Sequence, residues 1–403
     1  MTHRSERLHG LDAVRGYALL LGVVFHATMS FLPGSQVWVV QDVARSPALS
    51  VLFFVSHIFR MTTFFLIAGF FAHMMVGRRG VRGFAVDRLK RIALPLVAFW
   101  PISIAGIALG AGYAVYVATG VFPTKPPPGP PAPLGSFPFT HLWFLYVLLL
   151  LYVAVLGLRA LVHRLDASER LRAGADRAVA ALVASPFAPV VLAAPVAVAL
   201  YLQPEWRAWF GLPTPDSNVV PNLPAAVQFF AAFALGFLIH RQPRLMEVWT
   251  RRWPLNLAVA IALTAGCLAW LGFTPVVTPF PPGSAKLAYA AAYAVAVWAW
   301  TFAVIGLALR FLADESPVRR YIADSSYWIY LIHLPVVIFL QAWISRFTWP
   351  WEVKFAVVLG VGFAIMFASY QLVVRHTLVG AILNGRRAPR PAAAPTAHPE
   401  TAR

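Results

Sequence analysis

Charged residues are scarce in this chain of 403 residues, because Asp, Glu, Lys and Arg together make up only 12% of it. Soluble globular domains carry about 25% charged residues, so the shortage argues against a soluble enzyme and against a disordered chain. Acidic residues are the rarest, with 15 Asp and Glu against 33 Lys and Arg. The single cysteine, Cys267, excludes an intramolecular disulfide and a thiolate metal cluster. P-loop, GxGxxG, GxSxG and HExxH patterns are also absent.

Long apolar runs account for most of the chain, which is 60% hydrophobic with a mean hydropathy of +0.70. A helix needs about 20 apolar residues to cross a bilayer. The runs predict an all-α polytopic membrane protein with about ten transmembrane helices in a single bundle. They cover residues 13–32, 49–76, 92–120, 141–161, 186–203, 224–240, 254–273, 286–310, 321–344 and 353–375.

The net charge of +18 follows the topology that these runs imply. With the N-terminus in the cytosol and alternating spans, 25 of the 33 Lys and Arg fall in cytosolic segments and 6 in outer segments. This bias obeys the positive-inside rule, and an even number of spans places both termini in the cytosol. The charge therefore needs no nucleic-acid partner, and we expect the chain to lie in a lipid bilayer. Only Arg15 and Arg60 fall within or at the edge of spans.

One transmembrane domain is predicted over residues 1–385. It is followed by a tail at 386–403, rich in Arg, Pro and Ala, that we expect to be disordered and cytosolic. The outer segment 122–138 is rich in proline and is expected to be an extended loop.

Arg15 and His26 share one face of the first span. They are separated by ten residues, which is about three helical turns and an axial distance of about 16 Å. Gly22 lies one turn below His26, where a slender ligand or another helix can approach closely. Ionisable residues at membrane depth are costly and are usually functional. The alternative to a functional role is a structural one, in which Arg15 is a snorkelling anchor and His26 is a packed polar residue.

His57 and Arg60 are three residues apart on the second span, so they lie on one face. About a dozen apolar residues flank Arg60 on either side. A buried guanidinium needs an anionic or carbonyl partner. That partner is either a ligand oxygen, carbonyls at a helix end, or Asp42 or Asp324 folding in from the ends of spans.

Two more histidines lie in apolar runs. His141 opens the fourth run beside Trp143, which fits an aromatic belt at the outer interface. His333 lies about twelve residues into the ninth run, three after Tyr330 and nearly at the depth of His26. The alternatives are a hydrated interfacial His141 and a core His333. No metal site is predicted, because no metal-ligand spacing or neighbouring carboxylate accompanies these histidines.

Several blocks occur together in the order and spacing of one family. They are Arg15 with His26, FFLIAGF at 64–70, DRLKR at 87–91, HLWFL at 141–145 and YLIH at 330–333. With them, the chain resembles the acyltransferase-3 superfamily of integral membrane acyltransferases from about residue 8 to about residue 378. LDAVR at 11–15 and HIFRM at 57–61, with HLWFL, look most like the osmoregulated periplasmic glucan succinyltransferase branch. Ala68 departs from the serine of many relatives, so this position need not act as a nucleophile.

The resemblance implies a cytosolic acyl-CoA donor, either succinyl-CoA or acetyl-CoA, and a hydroxyl of a glucan or another glycan as acceptor. The resemblance also implies a location in the bacterial inner (cytoplasmic) membrane, and it implies no permanently bound cofactor. We expect CoA to dock near Arg15, Arg88 and Arg91, and its pantetheine arm to pass Gly22. We expect His26 to act as the general base.

The hypothesis assigns roles to further residues. Arg60 and His57 are expected either to stabilise the oxyanion or to hold the distal carboxylate of a succinyl donor. The residues expected to bind or orient substrate are His141, Trp143, Tyr330 and His333. The outer aromatic residues Trp38, Trp206 and Trp209 are expected to stack on sugar rings.

Several alternatives stay open at this point. The acyl group is transferred either directly or through an acyl-histidine. The enzyme is either a glucan succinyltransferase or an O-acetyltransferase of another cell-surface glycan. A secondary transporter or flippase of anionic sugars also fits a bundle with buried Arg and His, although no paired broken helices are visible. The oligomeric state is open.

Overall fold

The computed structural model describes residues 2–34, 38–125 and 135–385. The predicted tail at 386–403 and the centre of the proline-rich segment lie outside the described residues. Within the described parts the chain is all-α, without any strand, and residues Ser136 and Asn218 form an isolated antiparallel bridge. The helices are α1 Thr2–Thr28, α2 Pro47–Arg88, α3 Leu94–Thr119, α4 Trp143–Leu165, α5 Arg170–Ala184, α6 Ala188–Leu202, α7 Leu223–Ile239, α8 Met246–Leu271, α9 Ser284–Phe311, α10 Pro317–Ile344, α11 Trp351–Ser369 and α12 Leu378–Asn384.

Seven helical stretches in the described residues are long and apolar enough to cross a membrane, or up to eight if the bent pair α5 and α6 forms one span. Each of the ten predicted runs coincides with a helix, but α6 and α7 have only 15 and 17 residues. The stretch Pro47–Thr119 counts as one, with 73 residues. The ten spans and the cytosolic termini therefore stay predictions.

The basic segment between the second and third apolar runs is helical and does not form a loop. Helix α2 continues to Arg88 and joins α3 through a π-helical turn, Leu89–Ala93. Gly80 interrupts α2 with a φ of 68° and a ψ of 171°, a conformation open to glycine and strained for other residues. The apolar runs did not predict this continuous helix, because basic residues such as those of this segment are compatible with a helix as well as with a loop.

Side chains at the helix starts explain where three helices begin. Ser46 accepts a hydrogen bond from the backbone N–H of Leu49, and Asn222 and Ser316 cap α7 and α10 in the same way. A proline within the first two helical positions follows each cap. This order satisfies one free N–H and sets the φ angle that a helix requires.

Close helix contacts depend on two glycines at the crossing of α2 and α7. A side chain at Gly69 would collide with the carbonyl of Phe233, and one at Gly236 with the carbonyl of Leu66. Both glycines follow the general pattern of small residues at close contacts between membrane helices. The crossing fixes α2, the helix that carries His57 and Arg60.

Candidate active site

Two cavities lie along α1 and share the lining residues Leu19, Phe64 and Phe144. The large cavity measures about 810 Å³ and lies toward the C-terminal half of α1; the small cavity measures about 210 Å³ and lies toward its N-terminal half. The predicted site residues in the large cavity are Gly22, His26, His57, Arg60, His141, Trp143, Tyr330 and His333. Those in the small cavity are Arg15, Arg88 and Arg91. Apart from the tryptophans expected to stack on sugar, every predicted site residue therefore lines one of the two.

Arg60 is buried at the wall of the large cavity, with 9% of its surface exposed. Its guanidinium lies 4.7 Å from the ring centre of Phe25 and against Gly22, where a Cβ atom would be 2.8 Å from Nη1. Within the described residues it forms no ion pair, and its Nε has no hydrogen-bond partner. Asp42, one of its predicted carboxylate partners, is bound to Lys354 instead. An unpaired buried guanidinium facing a cavity is suited to bind an anionic group.

His57 precedes Arg60 by one turn, and both line the large cavity as their spacing predicts. Its ring stacks on Phe25 at 5.2 Å and on Phe53 at 5.9 Å. The stacking holds the imidazole in a defined plane beside the guanidinium.

His26 extends from α1 into the middle of an aromatic group. Its ring centre lies 5.5 Å from Trp38 and 5.2 Å from His333. Its Nδ1 is buried and has no hydrogen-bond partner. In the described part of the chain no three His, Cys, Asp or Glu side chains are arranged to hold a metal ion.

Backbone carbonyls of α10 hold two of the histidines, and Pro335 makes one of these carbonyls available. A proline has no N–H, so Pro335 leaves the carbonyl of Leu331, one turn earlier, without its usual helical donor. His141 Nε2 donates to this carbonyl at 3.2 Å, and the Tyr330 hydroxyl donates to the carbonyl of His141 at 2.7 Å. His333 Nδ1 donates to the carbonyl of Tyr330 at 2.7 Å. The backbone of α10 thus orients both imidazoles, and both side chains are buried.

The small cavity is lined by arginines whose charges are partly balanced by carboxylates. Arg88 and Arg91 lie 2.7 and 3.6 Å from carboxylate oxygens of Asp87, and Arg15 lies 3.2 Å from Asp12 on its own helix. Arg79 shares the carboxylate of Asp87, and the lining itself contains one carboxylate, Asp324, beside the three guanidinium groups. The lining is therefore more basic than acidic, which suits it to phosphates.

The tryptophans do not all lie where the sequence predicts. Trp206 and Trp209 are fully buried and donate to the carbonyls of Gly211 and Gly272, so the expectation that they stack on sugars is wrong. Trp143 lines the cavity but is buried inside the protein, and not in an interfacial belt. Side-chain type alone cannot separate a buried indole from an exposed one.

Trp38 is the outer tryptophan that reaches the large cavity, where it stacks on His26. Its indole N–H donates to Gln341 Oε1 at 2.9 Å. Gln341 in turn donates to the carbonyls of His26 and Ala27 at 2.9 and 3.2 Å, near the end of α1. Gln341 was not predicted, because a glutamine in an apolar run gives no sign of its partners.

The segment 203–222 supplies a polar rim that the sequence did not reveal. Glu205, Arg207, Asp216 and Asn218 line the large cavity from this segment. Burial raises the pKa of the Asp216 carboxyl above its ordinary value. Carboxylate, amide and guanidinium groups beside Trp38 form a surface suited to a ligand with many hydroxyls.

Comparison with known proteins adds independent information. A family model described as an acyltransferase domain, acyltransferase-3, matches residues 8–369. The chain is 24% identical over 390 residues to proteins named glucans biosynthesis protein C from Salmonella typhimurium, Salmonella typhi and Salmonella schwarzengrund. The aligned region covers 95% of this chain and 96% of each relative. No solved structure matches significantly. The chain therefore belongs to the acyltransferase-3 family of membrane acyltransferases.

Proposed function

We propose that this protein transfers a succinyl or acetyl group from cytosolic acyl-CoA to a hydroxyl of a periplasmic glucan. The observation that supports it best is the arrangement of the two cavities. A basic cavity and a cavity with buried histidines and an unpaired arginine share the residues Leu19, Phe64 and Phe144. Such a pair allows an anionic donor and a neutral acceptor to meet from opposite ends of the bundle.

The donor enters from the small cavity in this proposal. Arg15, Arg88 and Arg91 bind the phosphates of CoA, a task for which the guanidinium fork is suited. The pantetheine arm passes the shared residues and reaches Gly22, whose missing side chain leaves room beside Arg60. The bilayer of the inner membrane surrounds the bundle, and no permanent cofactor is required.

The transfer takes place in the large cavity. His26 removes the proton from the acceptor hydroxyl, the oxygen bonds to the thioester carbon, and the carbon–sulfur bond breaks. The proton on His26 then passes to the CoA thiolate, so that the thiol leaves. Arg60 and His57 stabilise the oxyanion, or Arg60 holds the distal carboxylate of a succinyl group. The side chains that orient the substrates are His141, Trp143, Tyr330 and His333.

The relatives are named for glucan biosynthesis, which supports a glucan as the acceptor. An O-acetyltransferase of another cell-surface glycan uses the same residues with a different acceptor. Transfer through an acyl-histidine is the second mechanistic route. A transporter of anionic sugars belongs to a different class, and it would leave the glycan without a new covalent group.

The experiment uses the full chain in nanodiscs with isotope-labelled succinyl-CoA or acetyl-CoA and purified glucan. We expect the glucan to gain the mass of the acyl group. His26→Ala should lower the rate by about 10²–10⁴-fold, the range that general base catalysis contributes. His163→Ala, an exposed histidine of α4 outside both cavities, is the matched control and should retain the wild-type rate. Sugar movement without a covalent product would contradict the proposal, and a wild-type rate in folded His26→Ala would contradict the role of His26.

A further inference from the structure

Two buried ring nitrogens without hydrogen-bond partners belong to neighbouring histidines. They are Nδ1 of His26 and Nε2 of His333. The ring centres are 5.2 Å apart, with the planes inclined by 39°. A buried nitrogen without a partner is costly, so two of them side by side require an explanation.

The hydrogen bonds of α10 determine which nitrogen of His333 carries the proton. A carbonyl oxygen can only accept, so the bond to Tyr330 requires a hydrogen on Nδ1 of His333. The neutral ring then presents the lone pair of Nε2. This atom is a hydrogen-bond acceptor held in place by the backbone, in a side chain with 2% of its surface exposed.

His141 also packs against His333. Its ring centre is 4.9 Å from that of His333, nearly at a right angle. The bond from His141 Nε2 to the Leu331 carbonyl likewise requires a hydrogen on Nε2. The Nε2–H of His141 is therefore directed at the backbone, and His26 is the neighbouring imidazole with an unpartnered nitrogen.

We propose that a small rotation of the two rings lets His333 Nε2 accept a hydrogen bond from Nδ1–H of His26, both in the resting protein and during acyl transfer. This bond fixes the tautomer of His26 in which Nε2 carries the lone pair that takes the proton of the acceptor hydroxyl. It also provides a partner for Nδ1–H while His26 carries a positive charge. His333 is then a positioning residue that acts through His26, the place that a buried carboxylate occupies in a Ser-His-Asp triad.

The proton balance involves no additional reactant. The hydroxyl proton moves to His26 Nε2, the oxygen–carbon bond forms, the carbon–sulfur bond breaks, and the same proton moves on to the thiolate. The Nδ1 proton stays on His26 throughout, and His333 remains neutral. The inference rests on the proposed function for its kinetic consequence, whereas the hydrogen bond between the two rings can be measured without turnover.

Two substitutions of His333 separate its two nitrogens. His333→Asn retains an N–H near the position of Nδ1 and removes the acceptor at Nε2, whereas His333→Gln places an amide oxygen near Nε2. We expect His333→Asn to lower kcat by about 10²-fold with the KM values for acyl-CoA and glucan within about twofold. We expect His333→Gln to recover at least about tenfold of that loss.

A spectroscopic measurement provides the second readout. In ¹⁵N spectra of histidine-labelled protein in nanodiscs, with His26→Ala for assignment, His26 should carry its hydrogen on Nδ1 in wild type. His333→Asn should shift this population toward Nε2–H. An unchanged kcat in His333→Asn, or a raised KM for glucan with unchanged kcat, would overturn the inference, as would an unchanged tautomer. If the wild type transfers no acyl group, the proposed function fails, and the tautomer measurement alone decides the inference.

Discussion

Two buried cations in this bundle differ in their partners. Lys354 of α11 is fully buried, and its Nζ lies 2.7 and 2.8 Å from the two carboxylate oxygens of Asp42, which is equally buried. Arg60 of α2 is also buried, yet it faces a cavity and has no ion-pair partner among the described residues. Burial alone therefore does not single out Arg60, because Lys286 is also buried and donates to the carbonyl of Gln203. Arg60 differs from both lysines in having neither an ion pair nor a hydrogen-bond partner for its Nε among the described residues.

The paired cation has a structural role that its position explains. Asp42 belongs to the segment between α1 and α2, and its own backbone N–H donates to the carbonyl of Ser30. The ion pair with Lys354 therefore ties this segment to α11. Arg60 connects nothing in the described residues by an ion pair or hydrogen bond, and its surroundings are Gly22 and Phe25. This contrast supports a ligand as its partner.

Removing the carboxylate of the Asp42–Lys354 ion pair should have the largest effect on stability. Asp42→Asn leaves the charge of Lys354 buried without a carboxylate, and we expect a loss of about 3–5 kcal/mol in the free energy of unfolding. Unfolding in mixed detergent micelles measures it. Glu315→Gln, which removes a carboxylate from the exposed pair with Arg320, is the matched control and should cost less than about 1 kcal/mol. The structural role is refuted if both variants lose the same small amount. Asp42→Leu with Lys354→Met should regain most of the loss.

Removing the unpaired cation should affect activity and leave stability intact. We expect Arg60→Gln to lower kcat by about 10²–10³-fold, because one stabilising donor at a developing oxyanion contributes on this scale. The melting temperature should not fall, since an uncompensated buried charge is removed. Rates with succinyl-CoA and acetyl-CoA distinguish the two roles of Arg60. An equal loss indicates oxyanion stabilisation, and a selective loss with succinyl-CoA indicates carboxylate recognition. A destabilised variant with normal kcat would assign Arg60 to structure.

A smaller change tests whether the position of Arg60 matters. In Gly22→Ala the new Cβ would lie 2.8 Å from Nη1, so the guanidinium must move. We expect kcat to fall on the order of tenfold, less than on removal of the group itself. Gly157→Ala in α4, where no atom lies within 4 Å of the new Cβ, is the matched control and should keep full activity. Equal rates for the two variants would show that the present position of Arg60 is not required.

The helical spacing predicted a large part of the site. Arg15 and His26 point to one side of α1, as three full turns require, and they line the small and the large cavity respectively. His57 and Arg60 share a face and a cavity. These residues were found because a charged or imidazole group is conspicuous within an apolar run. The roles of all of them stay predictions until the variants are measured.

Other parts of the site could not be predicted, since they depend on contacts between distant segments. The rim residues Glu205 and Asp216 come from a loop without a distinctive pattern. The acceptor for His141 arises because Pro335 frees a carbonyl of another helix. Trp206 was expected at a sugar and is instead buried in the core. Neither composition nor periodicity carries this information.

The sequence by itself determined that this chain is a helical membrane protein, because long apolar runs with few charges can satisfy their backbone in lipid only as helices. It also determined which helix faces carry histidine and arginine, because 3.6 residues make one turn. Only the tertiary structure decided that Lys354 is paired and Arg60 is not, and that His26 and His333 lie side by side. These are relations between helices far apart in the chain. They depend on how the helices pack against one another at glycines, prolines and cavities, and no single segment determines that packing.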